Sequence, residues 1–218
     1  MLKSKGIIYK IVKYSEKSAI CFVYTEDRGK LKLFLSDAFG KNRSILKLIP
    51  AEITYRYKDT TDLHKLFSIE YFTEFMFFHE NPDLYLRLNL LFEIIDIVIH
   101  DDTNSMEIWH YITKINEKNF IKGVLYIIYY ILVTFDILHQ NGCIICGGDY
   151  NGTICPECFE ITKDLDNIEI LGCIKSGKEF KKCIVESDVN ILKFFNRLIE
   201  RDYGKGLKSL QAIVDLLG

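Results

Sequence analysis

Four cysteines lie in one short window, Cys143, Cys146, Cys155 and Cys158, as two C-x-x-C pairs separated by eight residues. A two-residue gap lets both thiolates of a pair turn toward one point, and two pairs can hold a tetrahedral ion at about 2.3 Å from each sulfur. The stretch between them, which includes Gly147, Gly148, Asp149, Asn151 and Gly152, is rich in turn formers and suits a chain that doubles back. Four sulfurs leave no open position for water, so the expected chemistry is structural zinc, one Zn²⁺ per chain, in a ribbon or knuckle. A redox site would need only one such pair, and a zinc deaminase would need an upstream His-x-Glu, which the sequence lacks. Cys21, Cys173 and Cys183 are left over and read as small core residues. The histidines are scattered, and no Asp/Glu/His cluster stands at catalytic spacing, so the expectation is a protein that is not an enzyme.

A second kind of chemistry is written in the charge. Residues 1 to 60 hold 13 Lys and Arg against 6 Asp and Glu, whereas residues 61 to 142 hold 5 against 12, although the whole chain carries only −2. Such segregation suggests a basic module that meets a polyanion, joined to an acidic body that does not. Candidate phosphate contacts are Lys30, Lys32, Lys41, Arg43, Lys47, Arg56 and Lys58, with Phe34 or Tyr57 as stacking platforms if their rings are exposed rather than packed in the core.

The elements that must position these residues follow from periodicity. From Gly6 to Leu35 apolar residues alternate as Ile7, Tyr9 and Ile11, then Ile20, Phe22 and Tyr24, then Leu31, Leu33 and Leu35, and Ile53, Tyr55 and Tyr57 repeat the pattern. Period two predicts half-buried antiparallel strands, and four or five of them in residues 1–70 suit an OB-fold barrel or, nearly as well, an SH3-like one. After Phe72 the period becomes helical, with Leu84, Leu88, Leu91, Ile95 and Val98 on one stripe and further helices expected over Met106–Ile115 and Ile121–Leu138. The expected organisation is therefore α+β, with a barrel over 1–70, a helical bundle over 71–142, an embedded zinc ribbon over 143–187, and helices over 188–218 packing on the bundle. With 49 % hydrophobic residues the chain can bury a real core. The most apolar run, Val124 to Phe135, is shorter than the roughly 20 residues of a membrane span, and no signal-peptide pattern or disulfide framework is visible, so a reducing, cytoplasmic setting is expected.

At this point the chain resembles the RecO family of bacterial DNA-repair and recombination mediators. The likeness is carried by Gly6-Ile7-Ile8, by Tyr14-Ser15-Glu16-Lys17-Ser18 and Thr25-Glu26-Asp27-Arg28-Gly29 at the first two turns, by Cys143-Ile144-Ile145-Cys146-Gly147 and Cys155-Pro156-Glu157-Cys158, and by Leu207-Lys208-Ser209-Leu210. The resemblance implies an N-terminal OB-fold, a helical bundle and a zinc site. It also implies a nucleoid-associated, non-enzymatic protein that binds single- and double-stranded DNA, anneals complementary strands, and acts with RecR to load RecA. A further implied partner is the C-terminal tail of single-strand-binding protein, an acidic peptide for which Arg87 is the candidate carboxylate contact. The competing reading is a zinc-stabilised protein adaptor that touches DNA weakly or not at all.

Overall fold

The computed structural model describes residues 1–40, 44–100, 106–163, 165, 169–176 and 188–217. The protein is mixed α+β, and the chain divides into two compact units, Met1–Asn89 with His100–Thr113 and Leu90–Ile99 with Lys114–Gly218.

The first unit is built on a closed five-stranded barrel. Strands β1 (Leu2–Lys13), β2 (Ala19–Thr25), β3 (Gly29–Leu35), β4 (Pro50–Arg56) and β5 (Leu63–Tyr71) follow the order β1-β2-β3-β5-β4, and β4 returns to β1. All neighbours are antiparallel except β3 and β5, which run parallel. Ser15 shapes the β1–β2 turn: its hydroxyl accepts the Ser18 amide at 3.1 Å. Gly29 opens β3 in the left-handed region at φ 64, where a Cβ would be strained.

The barrel core corrects one reading of the sequence. On β2 the inward face is Ala19, Cys21 and Val23, packed with Ile8, Leu33, Leu35, Ile53, Tyr55 and Leu66, while Ile20 and Phe22 point outward and are half-buried. Both faces of this strand are apolar, so alternation alone cannot choose between them, and a narrow barrel takes the smaller set inside. On β1 the barrel core takes Ile8 and, partly buried, Ile11 in place of the expected Ile7, Tyr9 and Ile11, because a bulge between Ile8 and Lys10 shifts the parity; Ile7 and Tyr9 are buried outside that core, and Lys10 is exposed on the outer face. The inward stripes expected on β3 and β4 agree with the structure at Leu33, Leu35, Ile53 and Tyr55.

After the barrel come a 3₁₀ turn (Thr73–Phe75) and helices α1 (Phe77–Glu80), α2 (Pro82–Val98), α3 (Met106–Ile112) and α4 (Phe120–Thr134). Helix α2 starts where the residues say it should: the Asn81 side-chain oxygen accepts the Leu84 amide at 3.0 Å, and Pro82 sits in the first turn. Leu84, Leu88, Leu91, Ile95 and Val98 are all fully buried, as the stripe predicts, and the division between the two units falls within this helix. Helix α4 was expected to reach Leu138 but stops at Thr134. Asp136 takes a left-handed φ of 56, and the Ile137 and Leu138 amides both turn back to the Leu132 carbonyl, closing the helix end.

In the second unit, α5 (Glu169–Ser176), α6 (Asp188–Tyr203) and α7 (Lys208–Leu217) follow the cysteine window. Helix α6 buries Ile191, Leu192, Phe194, Phe195, Leu198 and Ile199, and packs on α4, on α7 and on a 3₁₀ helix at Pro156–Thr162. The start of α7 is held from a distance in sequence. Both Glu93 carboxylate oxygens accept its first amides, those of Lys208 and Ser209, at 2.9 Å, and the Asn196 side chain accepts the Leu207 amide at 2.6 Å. A carboxylate here meets the orphan amides and the positive end of the helix dipole together. No helix among the described residues is long and apolar enough to cross a membrane.

Candidate metal centre and charged barrel face

The cysteine window folds as two turns facing each other. Gly142 and Gly147 both take φ near 65–69, and a Cβ at Gly142 would collide with the Gly148 carbonyl, so the tight approach requires glycine there. The Gly147 amide donates to the Cys143 carbonyl and the Cys143 amide to the Gly148 carbonyl, each at 2.9 Å, which curls the first pair into a knuckle. The Ile144 amide donates to Thr153 at 2.9 Å and brings the second pair across, where Pro156 opens the 3₁₀ helix carrying Cys158. Of the two expected forms, ribbon or knuckle, the window takes the second, made of turns and a 3₁₀ helix: among the described residues from 143 to 176 no strand is present.

The result is one cluster in which the sulfurs of Cys143, Cys146, Cys155 and Cys158 all lie within 4.8 Å of one another. A tetrahedron with metal–sulfur bonds of about 2.3 Å has edges of about 3.8 Å, and Cys146 Sγ lies 3.8 Å from Cys155 Sγ. The donor set fits a single ion, and these four residues could hold one. Burial pushes the Cys143 thiol up, but the amides of Cys155, Cys146 and Ile145 converge on its sulfur and bring it down to about 6, favouring the thiolate a metal needs. Burial raises the Cys155 and Cys158 thiols.

Two cations brace this knuckle. Lys175 of α5 donates from Nζ to the carbonyls of Gly142 and Gly152, and Arg201 of α6 donates from Nη1 to the Ile145 carbonyl at 2.7 Å. Its hydrogen bond to Asp202, working against burial, holds the Arg201 pKa above its ordinary value, and the sulfurs of Cys158 and Cys146 add to that field. Neither residue was marked by the sequence as part of the metal centre, because nothing in local spacing links positions 175 and 201 to 143–158. Cys173, expected as a free core thiol in a chain without disulfides, is instead half-buried and disulfide-bonded; Cys183 lies outside the described residues.

The second candidate site is the outer face of the barrel, and strand register assembles it. Lys10 on β1 pairs with Phe22 on β2, which pairs with Lys32 on β3. One step along, Val12 pairs with Ile20, Ile20 with Phe34, Phe34 with Lys65 on β5, and Lys65 with Arg56 on β4. In the first row two cations flank one ring, whereas in the second the apolar Val12, Ile20 and Phe34 run up to two adjacent cations, Lys65 and Arg56. The Lys10 ammonium lies 4.8 Å from the Phe22 ring centroid, while Lys65 and Arg56 lie 5.4 and 5.7 Å from that of Phe67. Tyr14, in the β1–β2 turn, is 65 % exposed and stands edge-on to Phe34 at 5.6 Å.

Of the candidate phosphate contacts, Lys32 and Arg56 lie on this face, and Lys30 is half-buried opposite Tyr24. Lys58 follows β4, exposed, and Lys47 sits with its ammonium 5.8 Å from the Tyr85 ring. Lys41 and Arg43 lie outside the described residues. The Tyr57 ring already contacts the Arg28 guanidinium at 4.2 Å and the His64 ring at 4.3 Å, which leaves Phe34 the better placed of the two aromatic candidates. Lys10, Lys65, Tyr14, Phe22 and Phe67 complete the face and were not singled out from sequence; the pairing of strands, not their order in the chain, brings them together.

Arg87 is buried within α2, its side chain 2 % exposed, and its Nε donates to the Asp83 carboxylate at 2.7 Å. The fold and its sites thus define a protein with a closed five-stranded barrel, a charged and aromatic barrel face, and a helical unit carrying a four-thiol cluster. No family model matches the chain, and a search of curated proteins returned no match.

Proposed function

We propose that this chain is a RecO-like mediator of DNA repair and recombination, a non-enzymatic protein of the bacterial cytoplasm that binds and anneals DNA strands. The observation that carries the reading is the outer surface of the barrel, where Lys10 and Lys32 flank Phe22 across β1–β3 and where Phe34 pairs with Lys65, which lies beside Arg56 and against the Phe67 ring. Phosphates need cations at strand spacing and unpaired bases need ring faces, and neither demands sequence-specific contacts. Annealing then requires no acid or base: neutralising phosphate on two strands lowers their mutual repulsion. The strand order with its parallel β3–β5 pair supports reading the barrel as an OB-fold, whose β2–β3 face is the customary nucleic-acid surface. The four-thiol cluster with its 3.8 Å edge supports zinc as the ion, serving structure rather than reaction.

In this reading RecR, RecA loading and the acidic tail of single-strand-binding protein are the partners. A tail carboxylate engaging Arg87 would compete with Asp83 for a buried guanidinium, so tail-peptide affinity should respond to Arg87→Ala if that contact is used. Annealing of complementary labelled oligonucleotides, followed by fluorescence quenching without nucleotide, tests the central claim. Reversal of Lys32 and Lys65 to Glu should slow it severalfold. An unchanged annealing rate would favour the adaptor reading instead.

A further inference from the structure

The first unit holds a second concave surface of the opposite character. A cleft of about 640 Å³, all of whose lining residues belong to that unit, opens between the end of β5 with its 3₁₀ turn and α3. The Phe72 amide donates to the Pro50 carbonyl at 3.0 Å and fixes where the chain leaves the barrel. Met106, Glu107, Trp109, His110 and Tyr111 of α3, with Thr113 just after it, line the other wall. Phe72, Phe75 and the almost buried Trp109 make an aromatic lining, and Met106 is 62 % exposed beside them. Around this apolar centre stand the carboxylates Glu26, Glu74 and Glu107; the one lysine present, Lys5, lies 3.8 Å from Glu26 and is offset by it.

From this arrangement we infer that the cleft is a docking site for a partner-protein segment that carries an arginine or lysine among apolar side chains. Its volume lies in the range of clefts that bury a few side chains. Aromatic faces attract a guanidinium or ammonium through their quadrupole, and the two exposed carboxylates of Glu74 and Glu107 supply its counter-charge. The same carboxylates repel a phosphate backbone or an acidic peptide, so the cleft is separate in chemistry from the barrel face. The inference does not depend on that face binding DNA.

The test is selection of a random heptapeptide phage library on the immobilised full chain, with the Glu74→Gln, Glu107→Gln double variant as counter-target. Emission of Trp109 and circular dichroism check that the variant is folded, and Glu74→Gln alone serves if it is not. Enriched peptides should carry Arg or Lys flanked by apolar residues. Synthetic versions should bind the double variant about tenfold more weakly, as two rim charges at about 0.7 kcal/mol each would give. Absence of enrichment, enrichment of acidic or uncharged peptides, or equal binding to the variant overturns the inference. Self-association of the native chain in sedimentation that the variant abolishes would overturn it in favour of a second copy as occupant.

Discussion

Removing two cations from the barrel face should change how binding responds to salt, by an amount that can be worked out beforehand. Four cations, Lys10, Lys32, Lys65 and Arg56, lie on the outer surface of the barrel, on β1, β3, β5 and β4. If each neutralises one phosphate of a single strand, log K should fall against log salt with a slope of about −2.8, at about −0.7 per contact. Between 50 and 200 mM salt that slope loses about fiftyfold in affinity. Lys32→Ala with Lys65→Ala leaves two contacts, a slope of about −1.4 and a loss of only about sevenfold over the same interval. Fluorescence anisotropy of a labelled oligo-dT at several salt concentrations measures both slopes, and a mixed-sequence strand should give the same pair. Neither substitution touches the barrel core, so the melting temperature should stay nearly constant. A double variant that binds more weakly yet keeps the native slope would mean that these lysines do not contact phosphate, and the assignment of this face would fail.

The metal centre gives a second expectation: protein purified without chelator carries one zinc per chain, and Cys146→Ser lowers that occupancy. Trp109, the single tryptophan, belongs to the first unit, so stripping the ion should leave its emission unchanged while circular dichroism registers loss in the helical unit. Glu93→Ala should cost about 1–2 kcal/mol by leaving the first amides of α7 without their carboxylate, read as a lower urea midpoint, with Glu93→Gln costing less. Tyr55→Phe should be neutral or stabilising by up to about 1 kcal/mol, since its buried hydroxyl has no hydrogen-bond partner among the described residues. Burial, and then the Arg28 charge, lower the His64 pKa against the weaker pull of Asp62 and Asp59. The unfolded chain therefore takes up this proton first, and stability should fall as pH drops from about 6.5 toward the folded value; His64→Gln should flatten that part of the stability profile.

What the sequence discloses here depends on how local the determinant is. The cysteine cluster is legible because both ligand pairs and the glycines that fold them lie within sixteen residues, from 143 to 158. The helical stripe of α2 is legible for the same reason, since five leucine, isoleucine and valine positions at one spacing admit a single face. The barrel surface is legible only in part: Lys32, Arg56 and Phe34 stand out in the sequence, but which residues join them is decided by cross-strand register. Phe22 looks like core until Ala19, Cys21 and Val23 are seen to fill the interior, and Lys65 looks like part of the acidic body until β5 pairs beside β3 and β4. The braces Lys175 and Arg201 were invisible because they act on carbonyls, which carry no side-chain signature.

The clasp of Glu93 on the start of α7 also sets a timetable for the newborn chain. All five strands lie within the first 71 residues, so the barrel can close while the rest is still being made. Glu93 must wait for partners 115 and 116 positions further on, which at about 5–20 residues per second is about 6–23 s of synthesis. During that interval the apolar flank that α7 will cover, together with Leu207, Leu210 and Ile213 themselves, has no settled place. The helical unit should therefore be the part of the molecule that engages chaperones during synthesis, and the part that slow or interrupted translation exposes to proteases.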